Sequence, residues 1–142
     1  MIVAVIGGNF CSQEIARIAY EVGRRIAQRN HILICGGLGG VMEAACRGAK
    51  DGGGLTIGVL PGKEKNEANR FVDIPIVTAM SHARNAIITR TADVLIAVDG
   101  KYGTLSEIGL ALAEGKRVVG INTWDIEGVI SVGSVDEAME EI

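Results

Sequence analysis

Short, uniformly apolar runs alternate along the whole chain with longer stretches in which apolar residues recur every three or four positions. Ile2-Val3-Ala4-Val5-Ile6 has the pattern of a strand buried on both faces. Ser12 can cap a following helix whose Ile15, Ile18, Ala19, Val22 and Ile26 share one face. The same logic predicts strands over 31–35, 56–60, 74–78, 93–98 and 118–121. Helices are expected over 41–50, 81–91 and from near Thr104 to Ala113. Residues 63–73 are polar, and 63–67 read as a mobile loop. After Trp124 the pattern weakens, until Ser134-Val-Asp-Glu137 resembles a capping box for a last helix.

Such alternation predicts an α/β fold: a Rossmann-like three-layer sandwich with a central, mostly parallel sheet and helices on both faces. The 142 residues suit one domain, 1–142, with no linker or repeat. Helices 41–50 and 81–91 carry small or apolar residues able to pack against a second copy. Ligands of such sheets bind beyond the carboxyl ends of the strands, where the strand order reverses.

Composition sharpens this picture. The chain has 20 glycines, about twice the usual share of roughly 7%. They gather at Gly7-Gly8, Gly36-Gly37, Gly39-Gly40 and Gly52-Gly53-Gly54, where strands end and the backbone must turn or approach a neighbour closely. A net charge of −3 gives no footprint for nucleic acid or an anionic membrane. Three cysteines without C-x-x-C spacing suggest small core residues in a reducing, cytoplasmic setting rather than disulfides or zinc. The first apolar run is too short to cross a membrane.

The loops lack the usual dinucleotide signature, for neither G-x-G-x-x-G after the first strand nor an acidic end to the second is present. Gly100-Lys101 precedes Gly103-Thr104, the wrong order for a Walker A loop. What stands there is a Gly-Thr pair at a helix start, which is either a tight β–α turn or an anion site. Glu107 is either the capping-box partner of Thr104 or a carboxylate able to stabilise developing positive charge. Arg84 is either a solvated surface residue or a phosphate clamp. His82 reads as structural and Lys101 as solvent-facing.

Three stretches carry a resemblance. Gly36-Gly37-Leu38-Gly39-Gly40-Val41-Met42-Glu43-Ala44-Ala45 resembles the G-G-G-x-x-G-L-M-x-x-x-A segment of the lonely-guy family. Gly100-Lys101-Tyr102-Gly103-Thr104-Leu105-Ser106-Glu107 resembles that family's P-G-G-x-G-T-x-x-E signature, and Ser81-His82-Ala83-Arg84-Asn85 its M-H-x-R-K motif. This chain departs at Asp99, Lys101 and Asn85, where the family has Pro, Gly and Lys. The resemblance implies that Arg84 and Glu107 match catalytic residues of enzymes that cleave a nucleoside 5′-monophosphate into free base and ribose 5-phosphate. Residues 56–62, 73–78 and the surroundings of Arg84 are also similar to molybdenum cofactor carrier proteins, which bind a phosphorylated pterin without turning it over. The DNA-processing protein family shares a similar Rossmann domain.

Together these readings imply a phosphorylated, nucleotide-like or pterin-like ligand held by Gly7, Gly8, Asn9, Gly36, Gly37, Gly39, Gly40, Arg84, Asn85, Gly100, Lys101, Gly103 and Thr104. The resemblance further implies a homodimer or homotetramer. The alternatives are a phosphoribohydrolase using Arg84 and Glu107, or an oligomeric structural protein with a vestigial site. No metal or resident cofactor is expected. Such relatives are often labelled lysine decarboxylases, yet no lysine here stands out as a Schiff-base former.

Overall fold

A computed structural model describes all residues, Met1–Ile142. Strands β1 (Ile2–Gly7), β2 (Ile32–Cys35), β3 (Thr56–Leu60), β4 (Ile74–Val77), β5 (Val94–Val98), β6 (Arg117–Ile121) and β7 (Val129–Val132) form one parallel sheet ordered β4-β3-β2-β1-β5-β6-β7. The chain builds outward from β1 in one direction, then returns to β5 and builds in the other. The strand order therefore reverses between β1 and β5, whose carboxyl ends are level because Gly7 pairs with Val98.

Helices α1 (Gln13–Gln28), α2 (Val41–Asp51) and α5 (Val135–Glu140) cover one face, while α3 (Asn85–Thr91) and α4 (Tyr102–Ala113) cover the other. Alternating strand residues divide between two cores: Val3, Val5, Leu33 and Cys35 face the first, Ala4, Ile6 and Ile34 the second. Ser12 caps α1 by accepting a hydrogen bond from the Ile15 amide at 3.2 Å, and Ser134 caps α5 likewise from Glu137. Cys35 and Cys46 are buried core residues with sulfurs 3.5 Å apart.

The weak pattern after Trp124 conceals β7, a four-residue edge strand. Residues 63–69 are pinned rather than loose. The Glu67 carboxylate accepts from the Lys63 and Glu64 amides at 3.1 Å each, and the Asn69 amide donates to the Gly37 carbonyl at 2.8 Å. Helix α2 has spent its small residues within the chain. A Cβ on Gly48 would fall on the Tyr20 carbonyl of α1, and one on Gly23 on the Ala45 carbonyl of α2, so the helices meet backbone to backbone. That surface is closed to a second copy.

This reciprocal contact outweighs helix propensity. An alanine in a helix interior normally gains about 1 kcal/mol over glycine, whereas overpacking a tight contact costs about 1–3 kcal/mol. Gly48→Ala should destabilise the protein in urea denaturation. Gly109→Ala on α4, where nothing stands within 4 Å of the new methyl, should stabilise it.

Candidate functional site

Ile6 and Val98 are buried apolar strand residues, and each is followed within two residues by a glycine that lets the chain turn off the sheet. The loops Gly7–Phe10 and Asp99–Thr104 thus emerge side by side at the reversal point. Between them lies a cavity of about 340 Å³, closed below by Leu38, Met42, Arg84, Asn85 and Glu107 and flanked by His82. Phe10 at its mouth is 89% exposed.

Helix α4 starts earlier than its capping-box pattern suggests. Lys101 occupies the N-cap with no side-chain cap, so Thr104 and Glu107 sit inside the helix. The early start follows from Gly100, whose φ of +99 turns the chain tightly under Thr104. Thr104 is 2% exposed and Glu107 7% exposed. Glu107 therefore serves no cap; its carboxyl group points at the cavity without a hydrogen-bond partner from the chain. Ser106 instead bridges the region, donating to the Gly103 carbonyl at 2.7 Å and accepting from Asn85 at 3.1 Å.

Arg84 is no surface residue. It is 7% exposed and stands at the junction of a short 3₁₀ turn with α3. Its Nε donates to the Val59 carbonyl at 2.7 Å, Nη2 to the Gly36 carbonyl at 3.4 Å, and Nη1 to Asn85 Oδ1. Three of five donors are thus satisfied by the chain, leaving one N–H on each terminal nitrogen. A side chain on Gly36 would collide with this guanidinium, so that glycine makes room for Arg84.

The other glycines of that loop act the same way, and none of Gly36, Gly37, Gly39 and Gly40 lines the cavity. Gly39 donates its amide to Asn9 Oδ1 at 2.8 Å, while Gly37 and Gly40 press against Gly58 and Gly8. The close approach that these glycines permit is to the chain itself. Of the residues singled out in the sequence, Gly7, Gly8, Asn9, Arg84, Asn85, Gly100, Lys101, Gly103, Thr104 and Glu107 do line the cavity. Sequence reasoning missed Phe10, Leu38 and Met42 as walls, and took His82 as structural and Asp99 only as a departure. Neighbouring glycines marked the loops, but nothing in residue type marked those apolar walls.

Burial raises the Glu107 carboxyl to about 8, with the Arg84 charge opposing the rise. Burial likewise lowers the Arg84 guanidinium from its ordinary value, with Glu107 and Cys35 opposing. The two line one cavity yet make no direct ion pair. At pH 7 Glu107 is therefore mostly protonated, a donor rather than the carboxylate expected from sequence.

Fold and cavity together define a Rossmann-like α/β protein with a small-molecule-sized cleft at the strand-order reversal. The chain belongs to the SLOG cluster4 family, whose model matches residues 1–141. It is 55% identical to an uncharacterized protein of Archaeoglobus fulgidus over 98% of this chain and 92% of that one. It is 32% identical to the cytokinin riboside 5′-monophosphate phosphoribohydrolase of Mycobacterium tuberculosis, covering 91% and 79% respectively. Among solved structures, it matches the molybdenum cofactor binding protein of Rippkaea orientalis with a TM-score of 0.93 and 36% identity, covering 98% of this chain and 93% of that one. The molybdenum cofactor carrier protein of Chlamydomonas reinhardtii matches with a TM-score of 0.89 and 37% identity, covering 98% and 94%. DNA processing protein A of Streptococcus pneumoniae, at 22% identity and a TM-score of 0.78 over 99% of this chain and 61% of that one, shares the fold. No helix is long and apolar enough to cross a membrane.

The buried carboxyl makes stability depend on pH. Its folded value of about 8 lies above the ordinary 4.5, so its contribution is fully present below 4.5 and lost as pH rises through 8. Wild-type stability should fall across that window by at most ~1.4 kcal/mol per pH unit from this group. Glu107→Gln, which mimics the neutral form, should flatten that slope in urea titrations at pH 5 to 9. An unchanged slope would show that Glu107 does not titrate there.

Proposed function

We propose that this chain binds a phosphorylated, nucleotide-like or pterin-like small molecule at the reversal point and carries it without turning it over. The phosphate lies against the Gly100–Thr104 turn, where free amides and the α4 dipole favour an anion, with Lys101 at the rim. The remaining Arg84 N–H groups and the neutral Glu107 carboxyl face the rest of the ligand. The carrying observation is the state of Arg84. Its guanidinium is held by Val59, Gly36 and Asn85, so it shapes the cavity floor and is not free to follow a reacting group. The likeness to cofactor-carrying structures along almost the whole chain supports the same reading.

The hydrolase reading is favoured by one observation, the raised value of Glu107. A carboxyl neutral at pH 7 could protonate a departing base, as general acids with raised values do. Turnover separates the two. The wild type should release no free base from AMP or another nucleoside monophosphate. Release abolished by Glu107→Gln with affinity retained would make the protein a phosphoribohydrolase.

Binding itself is tested by thermal shift with nucleoside monophosphates, pterin phosphates and ribose 5-phosphate against their unphosphorylated forms. A ligand at one hundred times its Kd stabilises the native state by about 2.7 kcal/mol, a rise of several degrees in Tm. Absent or equal shifts across the panel would leave only a structural protein with a vestigial site.

Net charge −3 and the mixed signs of Asp99, Lys101 and Arg84 in the cavity favour a small molecule over a nucleic acid strand. Three free cysteines fit a reducing cytoplasm. With α2 occupied by α1, self-association falls to the face around α3 and exposed Ile74 and Ile76 of β4. Light scattering at micromolar concentration should show a homodimer or homotetramer, and a species of only 14.9 kDa would refute it.

A further inference from the structure

Asp99 is the one residue of the cavity held in a left-handed backbone conformation without being glycine, with φ of +51. Residues other than glycine, asparagine and aspartate pay a steric penalty there, so the position selects for a short polar side chain. The conformation is imposed from β6 and the turn beyond it. The Asp99 amide donates to the Ile121 carbonyl at 3.1 Å, and its carbonyl accepts from Thr123 Oγ1 at 2.6 Å. Both main-chain groups are thereby fixed, and the side chain is delivered to the cavity. Its carboxylate receives no hydrogen bond and no ion pair from the chain. Its charge is felt by the neighbouring Cys11, whose thiol is pushed up by burial and then by Asp99.

A carboxylate with both oxygens open offers parallel acceptors, whereas the other polar groups of the wall mostly donate: Lys101, Arg84 and the neutral Glu107. We propose that Asp99 determines which ligand the cavity accepts, its carboxylate taking a pair of adjacent N–H or O–H donors from the ligand. Two ligand features present that chemistry: the ring N–H and 2-amino group of a guanine (2-amino-6-oxo) or pterin (2-amino-4-oxo) ring, and the cis-diol of a ribose. This inference rests on the phosphate-ligand reading and names the rest of that ligand.

The test uses Asp99→Asn, since asparagine adopts the left-handed conformation at least as readily and keeps the side-chain shape. Affinities of wild type and variant are measured by calorimetry for GMP, AMP, IMP and 2′,3′-dideoxy-AMP, with unfolding followed in parallel. If Asp99 reads the ring edge, wild type binds GMP at least about tenfold tighter than AMP and IMP, the range expected for hydrogen bonds to a charged group, and the variant loses that preference. If it reads the diol, GMP and AMP bind alike, dideoxy-AMP at least about tenfold more weakly, and the variant loses that difference instead. A variant that changes Tm but leaves every affinity ratio as in wild type makes Asp99 a mere charge beside the α4 N-terminus and overturns the inference. Wild type that binds none of the four, and no other phosphorylated compound, fails at the parent reading and takes this one with it.

Discussion

The guanidinium of Arg84 ties the carboxyl ends of β2 and β3 to the start of α3, and the shape of the cavity follows from that contact. Two of its acceptors are main-chain carbonyls at strand ends, where the sheet ladder has run out of partners. A buried charge without an adjacent carboxylate is costly unless its donors are satisfied. Here the carbonyl and amide oxygens of Val59, Gly36 and Asn85 do that. The cost of the arrangement falls on Glu107, which gives up its charge at neutral pH, so the cavity floor keeps the positive charge of Arg84.

Around this floor the glycine-rich loops divide the labour. Gly7–Asn9 and the Asp99–Thr104 loop wall the cavity. Gly36–Gly40 stands behind them as a brace, holding Asn9 through the Gly39 amide and leaving space for Arg84 at Gly36. The same residue type thus lines a cavity in one loop and permits close internal packing in the next.

That division explains what could be read from sequence and what could not. Alternating apolar runs and helical periodicity located β1 to β6 and α1 to α4, because both sides of a parallel sheet must be apolar. Ser12 and Ser134 announced their helices, since a cap is a local interaction. β7 escaped because Val129-Ile-Ser-Val132 lies at an edge, only four residues long and partly exposed. Thr104 and Glu107 matched a capping box by spacing, yet the turn at Gly100 put the N-cap of α4 three residues sooner, at Lys101. The role of Arg84 was hidden for a different reason: its partners are carbonyls of Val59 and Gly36, which any residue would supply. That the Gly36–Gly40 loop stands outside the cavity lining was not legible, because close approach looks the same in sequence whether the neighbour is a ligand or the chain.

The backbone-to-backbone crossing of α1 and α2 also bears on how the molecule assembles. Gly23 and Gly48 belong to helices separated by a single short strand, so their meeting closes a modest loop and incurs little chain entropy. It brings β1 and β2 into register at once, and with them the Gly7 turn and its brace. The other half of the cavity comes from β5 and α4, whose pairing with β1 spans some ninety residues of chain, as the Val3–Val94 register shows. Pairings that long are slow to form. Nucleation in the first two β–α units would therefore leave a half-built cleft waiting for β5, completed only with the last long-range step of folding.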